Sequence, residues 1–172
     1  SDLTQVATEV RNSGGQAHVV AGDITSETFV QKLFATVRED FGRLDILVNN
    51  AGMAPFAPVE EMSVERFRAC LELNVLAVFM CMQQAVRLMK DTGGGGKIIN
   101  IGSVRSHWTE GGDGGAYNAS KYGLLGLTES VARQLHGTGQ NIAVGMVWPG
   151  GVDTTLTNPN REPRSEWLTP ET

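Results

Sequence analysis

Helix-length stretches alternate with short apolar runs along this chain, and that alternation restricts the fold more than any other feature. Short runs apolar throughout suit strands of a parallel sheet that is buried by helices on both faces. A first helix stops near "RNSGG", where Gly14 or Gly15 supplies the terminus, and residues 17–22, "AHVVAG", follow as a strand. Thr25 or Ser26 caps a second helix with Val30, Leu33, Phe34, Val37 and Phe41 on one face, closed by Gly42. Residues 44–48, "LDILV", form a second strand that runs into "NNAG". From Ser63 to Lys90 a long helix is apolar on nearly every side and must be covered on every side. The sheet covers one side, and a partner subunit is expected on the other. "KIINIGS", 97–103, is a third strand, a helix over 117–136 follows, and "NIAVGMVW", 141–148, is the fourth. The tail from 153, with three prolines and few apolar residues, is expected to be a mobile loop on the substrate side.

At 172 residues and 41% apolar the chain can bury one core, so a single domain over 1–172 is expected. A net charge of -5 without a basic cluster argues against nucleic acid or an anionic membrane as partner. No apolar run is expected to approach the roughly 18 residues that cross a bilayer, and the opening "SDLTQVATEV" does not read as a signal peptide. Cys70 and Cys81 fall in one helix, where eleven residues separate them by ~16 Å, too far for a disulfide. Both are expected to be reduced core residues of a cytoplasmic protein with no metal site.

Glycine clusters carry less than they suggest. "GGGGK", 93–97, precedes a strand rather than a helix, and Ile98 stands where a phosphate loop needs Ser or Thr, so it connects a helix to a strand. "GGDGG", 111–115, is a flexible approach to the next helix, and no G-x-G-x-x-G follows any strand.

Ligands of an open parallel sheet bind beyond the carboxyl ends of its strands, so the polar residues there are the ones to weigh. They are Asp23, Asn49 to Gly52, Ser103, and Pro149 to Thr154, and each has a structural explanation as turn or loop organiser. Asn74 lies on a buried helical stripe, either satisfied by neighbouring backbone or holding a water. In "YNASK", Tyr117 and Lys121 share a helix face. An ammonium about 5 Å from a phenolate, at an effective dielectric of about 20, stabilises it by ~3 kcal/mol, a little over two pKa units. Tyr117 would then serve as acid or base; the alternative is a packed ring beside a solvated lysine. His107 and Trp108 follow Ser103 and border the pocket or pack over the sheet end, and Arg105 alone is weak evidence for a carboxylate substrate.

The ordered set Asp23-Ile24, "NNAG" at 49–52, Asn74, Ser103, "YNASK" at 117–121 and "PGGVDT" at 149–154 resembles the short-chain dehydrogenase/reductase family, including its 3-oxoacyl-(acyl-carrier-protein) reductase-like members. The likeness covers essentially the whole chain. It implies an α/β, Rossmann-like doubly wound parallel sheet, here with four strands, and NAD or NADP as cofactor. It also implies a secondary alcohol or ketone as substrate, and a homodimer or homotetramer formed through the helices at 63–90 and 117–136. By resemblance Ser103 polarises the substrate oxygen, Tyr117 transfers the proton, Lys121 binds the nicotinamide ribose and lowers the phenol's pKa, and Asn74 positions a water. Asp23 and Ile24 would meet the adenine, and Asn50, Ala51 and Gly52 the adenosine ribose. Pro149, Gly150, Val152 and Thr154 would lie on the nicotinamide side.

A family member begins one strand and one glycine-rich turn earlier and ends with a further helix and strand. Two strands of the family's order are thus absent between 17–22 and 44–48, a gap of about 14 Å at ~4.8 Å per strand. Three explanations stay open: an ordered part of a longer protein, a truncated product, or a complete chain in which 17–22 pairs elsewhere. A binding or scaffold protein on the same fold, and an inactive remnant, stay open beside the enzyme. The residue that separates NAD from NADP lies in the absent segment.

Overall fold

A computed structural model describes residues 3–109 and 112–151. Helix α1, Leu3–Asn12, ends in a turn with Gly14 at a positive φ of 86°. Helix α2, Glu27–Phe41, starts at Ser26, whose hydroxyl accepts from the Phe29 N–H, and stops at the left-handed Gly42. Strand β1, Ile46–Asn49, leads through "NNAG" to a continuous helical run. That run comprises α3, Val64–Leu71, a widened π-type turn at Glu72–Ala77, and α4, Val78–Thr92. Ser63 caps its start and left-handed Gly93 its end. Strand β2, Gly96–Ile101, a short 3-10 turn at Val104–Ser106, helix α5, Gly115–Leu135, and strand β3, Ile142–Val147, complete the order.

The sheet is parallel in the order β1-β2-β3, with Leu47 beside Ile98 and Ile98 beside Val144. This register puts Leu47, Ile98 and Val144, then Asn49, Asn100 and Met146, on one face. Helix α4 packs on β1 and β2, and α5 on β3. The core joins Ile98 and Ile142 to Val78, Cys81, Met82, Ala85, Leu88 and Met89 of α4, with Leu124 and Leu135 of α5. The expectation of four strands is corrected to three. Residues 17–22 are not a strand, because an isolated β segment has no neighbouring ladder to receive its N–H and C=O groups. The doubly wound expectation is corrected with it. On the opposite face Ile46 and Val48 remain 55% and 52% exposed, so among the described residues helices cover one face.

Helix α2 seats on α4, burying Val30 and Phe34, and the Arg38–Asp91 ion pair at 2.6 Å spans the two helices. A cavity of about 260 Å³ remains, lined by Ile24, Leu33, Val37, Leu47, Val48 and Cys81 among others. The run Val64–Thr92 also corrects the reading of membrane length. At 29 residues, with a window of mean hydropathy 1.5, it is long and apolar enough to span a bilayer, and 39% of that window is buried inside the protein. It is the central core helix of this fold. Both cysteines lie within it, buried and free. The tail from 153, together with Val152 and Thr154, lies outside the described residues.

Candidate active site

Parallel strands end together, so Asn49, Ile101 and Val147 bring "NNAG", Ser103 and the Pro149 loop to one edge of the sheet. Three hydrogen bonds fix that edge. The Gly102 N–H donates to the Val147 carbonyl at 2.8 Å, and the Val104 N–H donates to the Pro149 carbonyl at 3.1 Å. The Ser103 N–H donates to the Ser106 hydroxyl at 3.2 Å. Ser103 is itself the cap of the 3-10 turn, its Oγ accepting from the Arg105 N–H at 3.2 Å. The serine side chain is thereby held in one direction by its own turn.

Helix α5 supplies the other reactive groups. Its first turn places Tyr117 against this edge, where the Ser103 side chain is near enough to lower the phenol's pKa. The Lys121 ammonium lies 5.6 Å from the centre of the Tyr117 ring and donates to the Ile101 carbonyl at 2.8 Å. Lys121 is 7% exposed. Burial pushes the Tyr117 phenol above its ordinary value; the Ser103 hydrogen bond and the Arg105 charge pull it down, while Cys70 pushes it up. Burial likewise pulls the Lys121 ammonium down, against the influence of Cys70. The net effect on the phenol is opposite in sign to the lowering expected from the i, i+4 spacing. The ammonium faces a backbone carbonyl under the ring, and withdrawal from water is the larger influence on both groups.

Asn74 sits in the π-type turn, a widening often found at functional positions. It is 1% exposed and used at both ends of its amide. Oδ1 accepts from the Met53 N–H at 2.9 Å, and Nδ2 donates to the Met53 carbonyl at 2.8 Å and to Ser120 Oγ at 2.9 Å. Both ends of the amide thus bond neighbouring backbone, with the Ser120 hydroxyl as a further partner. Ser120 passes the contact on, donating to the Tyr117 carbonyl at 2.7 Å. Asn74 therefore clamps the segment after "NNAG" to the helix that carries Tyr117.

Asn50 and Ala51 are exposed just past β1, and Gly52 approaches Asn74 so closely that a Cβ there would lie 3.2 Å from Oδ1. Asp23 is exposed and bonds its own turn, accepting from the Thr25 N–H at 2.9 Å and the Thr25 hydroxyl at 2.7 Å, which lowers its pKa. Ile24 packs against the core cluster. Pro149 and Gly150 lie beside the Ser103 turn. The structure thus brings Asn74, Ser103, Tyr117 and Lys121 together, and leaves Asp23 and Ile24 across the β1 side.

Sequence reasoning missed several polar groups that hold this site. Asn100, fully buried on β2, accepts from Asn49 Nδ2 at 2.8 Å and donates to Thr128 Oγ1 at 2.9 Å, linking β1, β2 and α5. An asparagine at an inward position of the otherwise apolar "KIINI" was the available signal. Phe56, 6.0 Å from Tyr117 between ring centres, gave none, because its place depends on how the loop after β1 folds back. His107 stacks edge-on against Trp148 at 4.6 Å, and Trp108 is exposed.

Comparison with known proteins agrees with this geometry. A profile of the short chain dehydrogenases matches residues 1–165. The chain is 38% identical over 155 residues to a short-chain dehydrogenase/reductase of Hericium erinaceus, covering 90% of this chain and 60% of that protein. It is 35% identical over 164 residues to the 3-oxoacyl-[acyl-carrier-protein] reductase of Synechocystis, covering 95% and 65%. The chain therefore spans less than two thirds of the length of these relatives. Among solved structures, acetoin dehydrogenase from Enterobacter cloacae superposes with a TM-score of 0.80 at 38% identity, covering 88% of this chain and 61% of that one. The alcohol dehydrogenase of Thermococcus sibiricus, complexed with 5-hydroxy-NADP, gives 0.87 at 26% identity, covering 98% and 70%. With the profile spanning nearly its whole length, the chain belongs to the short-chain dehydrogenase/reductase family.

Proposed function

We propose that this protein interconverts a secondary alcohol and its ketone with NAD or NADP, nearest in kind to the 3-oxoacyl-(acyl-carrier-protein) reductase-like members of its family, with Tyr117 as proton donor and acceptor. The observation that carries this reading is the meeting of Ser103 and the Tyr117 phenol, near enough for the serine to pull the phenol's pKa down, with the Lys121 ammonium 5.6 Å from the centre of that ring. Two hydroxyls from different elements meet at one point, where a substrate oxygen can contact both.

When bound, the nicotinamide accepts or supplies the hydride. The substrate oxygen changes charge as hydride moves at carbon, and the chain's own residues manage that charge. Ser103 donates to the oxygen and fixes its position. Tyr117 gives its proton to the oxygen in reduction and takes the alcohol proton in oxidation. Lys121, anchored on the Ile101 carbonyl, keeps a cation under the ring. Asn74 acts as a positioning residue by tying Met53 to Ser120.

The residues present suit a dinucleotide. Asn50 and Ala51 are open to solvent beyond β1, and the bare Gly52 leaves backbone accessible where a side chain would meet Asn74. In this reading Tyr117 and Lys121 hold the nicotinamide ribose, Asn50 to Gly52 the adenosine ribose, and Asp23 and Ile24 the adenine. Pro149, Gly150, Val152 and Thr154 hold the nicotinamide side. We also propose a homodimer or homotetramer through the helices at 63–90 and 117–136, supported by exposed Leu76, Phe79 and Tyr122. The two free buried thiols support a cytoplasmic setting.

The test is Tyr117→Phe. Turnover of secondary alcohols falls by about 10²–10⁴-fold while affinity for the reduced cofactor is kept. Undiminished turnover in that variant ends the proposal.

A further inference from the structure

We propose that Arg105 is a positioning residue for proton transfer, its guanidinium held on the Phe56 ring so that a fixed positive charge acts on the Tyr117 phenol. The proposal rests on the role assigned above to Tyr117. Arg105 Cζ lies 5.9 Å from the centre of the Phe56 ring, whose other neighbour is the Tyr117 ring at 6.0 Å, tilted by 52°. The three groups thus form a stack ending at the phenol. Arg105 is placed by the serine itself, since its N–H donates to Ser103 Oγ. Its far end is seated as well: Nη1 lies 3.1 Å from the point a Gly114 Cβ would occupy, beside the Asn118 amide at the start of α5. Asn118 Oδ1 is buried there without a hydrogen-bond partner among the described residues.

Among the described residues, the charged and titratable groups facing Tyr117 are Lys121 from its own helix, Cys70 from α3, and Arg105 from the 3-10 turn, with the neutral Ser103 at the end of β2. Burial raises the Cys70 thiol, which keeps it neutral, and lowers the Lys121 ammonium, so that Lys121 loses its proton earlier on the way to alkaline pH. An arginine stays charged over the whole range in which a phenol titrates. Arg105 is therefore the cation whose influence persists where Tyr117 ionises.

Tyr117 and Tyr122 are the two tyrosines of the sequence, so Tyr122→Phe leaves one phenol to follow. In that background the near-ultraviolet absorbance of phenolate is titrated in the full chain with Arg105, Arg105→Gln and Arg105→Lys. Arg105→Gln raises the midpoint by about half a pH unit or more, roughly threefold less phenolate at a given pH, and Arg105→Lys recovers most of the difference. The pH profile of alcohol oxidation moves the same way, to higher pH in Arg105→Gln. An unchanged midpoint in a folded Arg105→Gln protein, or a lysine variant as high as the glutamine one, overturns the proposal. The titration needs no turnover. A shifted midpoint in a protein without activity supports the influence of Arg105 on the phenol and counts against the oxidoreductase reading instead.

Discussion

Removing the Asn74 amide tests the clamp on which the site depends. Asn74→Ala deletes three strong hydrogen bonds, to the Met53 N–H, the Met53 carbonyl and Ser120 Oγ, and a weak fourth to Cys70 Sγ, at a position 1% exposed. Each buried partner left unsatisfied costs about 1–3 kcal/mol. Ser120 keeps its bond to the Tyr117 carbonyl, and Met53 is only partly buried, so the lower part of that range applies to each. The expected total is about 3–5 kcal/mol, a large fraction of the roughly 5–15 kcal/mol by which domains are stable. With an m-value of about 2 kcal/mol/M, the urea midpoint falls by about 1.5–2.5 M. Asn74→Asp separates the two ends of the amide. It keeps an acceptor for the Met53 N–H but places a carboxylate against the Met53 carbonyl, so its pKa in the folded protein rises. A raised carboxyl pKa means stability present at acid pH and lost as pH increases through the folded value. The aspartate variant is thus least stable at neutral pH and regains ground on acidification. Equilibrium urea unfolding across pH measures both effects. An alanine variant within about 1 kcal/mol of the parent would refute the clamp.

Three further outcomes are expected. Tyr117→Phe alters alkaline stability: the raised phenol pKa stabilises the fold fully below the ordinary value of 10.0 and is lost as pH rises through the folded value, so the parent loses stability above pH 10.0 that the variant keeps. Thermal unfolding from neutral to strongly alkaline pH measures the difference. Gly95→Ala costs about 3 kcal/mol or more, because φ is +69° and a Cβ would meet the Asn141 carbonyl oxygen at 2.3 Å, whereas Gly42→Ala, at φ +70° with open space, costs about 1 kcal/mol. Chemical denaturation of both variants checks the ratio. Ile98→Ala, in the core, costs about 2–5 kcal/mol, while Val48→Thr on the bare sheet face changes stability by about 0.5 kcal/mol or less, as read from the same unfolding curves.

What the sequence made legible is what local chemistry decides. Ser26 and Gly42 bound α2 where the cap and the left-handed turn require them, and the three paired strands lie within a residue or two of the apolar runs. The fourth run, 17–22, has the composition of a strand, but pairing is a property of two segments, and no neighbour is at hand. The π-type turn at Asn74 was hidden for a similar reason. The asparagine in it bonds the Met53 backbone, 21 residues away in sequence, and no spacing within the helix reports that contact. Asn100 was legible in principle, since its position in the register with Leu47 and Ile98 follows once strands are aligned.

The acid–base pair shows where spacing stops being informative. An i, i+4 separation fixes that Tyr117 and Lys121 share a helix face, and a Coulomb sum over about 5 Å then lowers the phenol's pKa by about two units. That sum omits the solvation each group gives up. Here the helix face that carries the pair is turned into the protein, Lys121 is 7% exposed, and burial disfavours both the phenolate and the ammonium. The sign of the shift is thus set by which way α5 faces, a tertiary fact, and not by the interval between the residues. It follows that ionisation of Tyr117 depends on the groups that counter burial, namely Ser103 and the charge of Arg105. Both come from the segment after β2 rather than from "YNASK". The tyrosine is read from one motif, but its titration is set by another, and variants of residues 103–105 are expected to shift that titration more than conservative changes within α5.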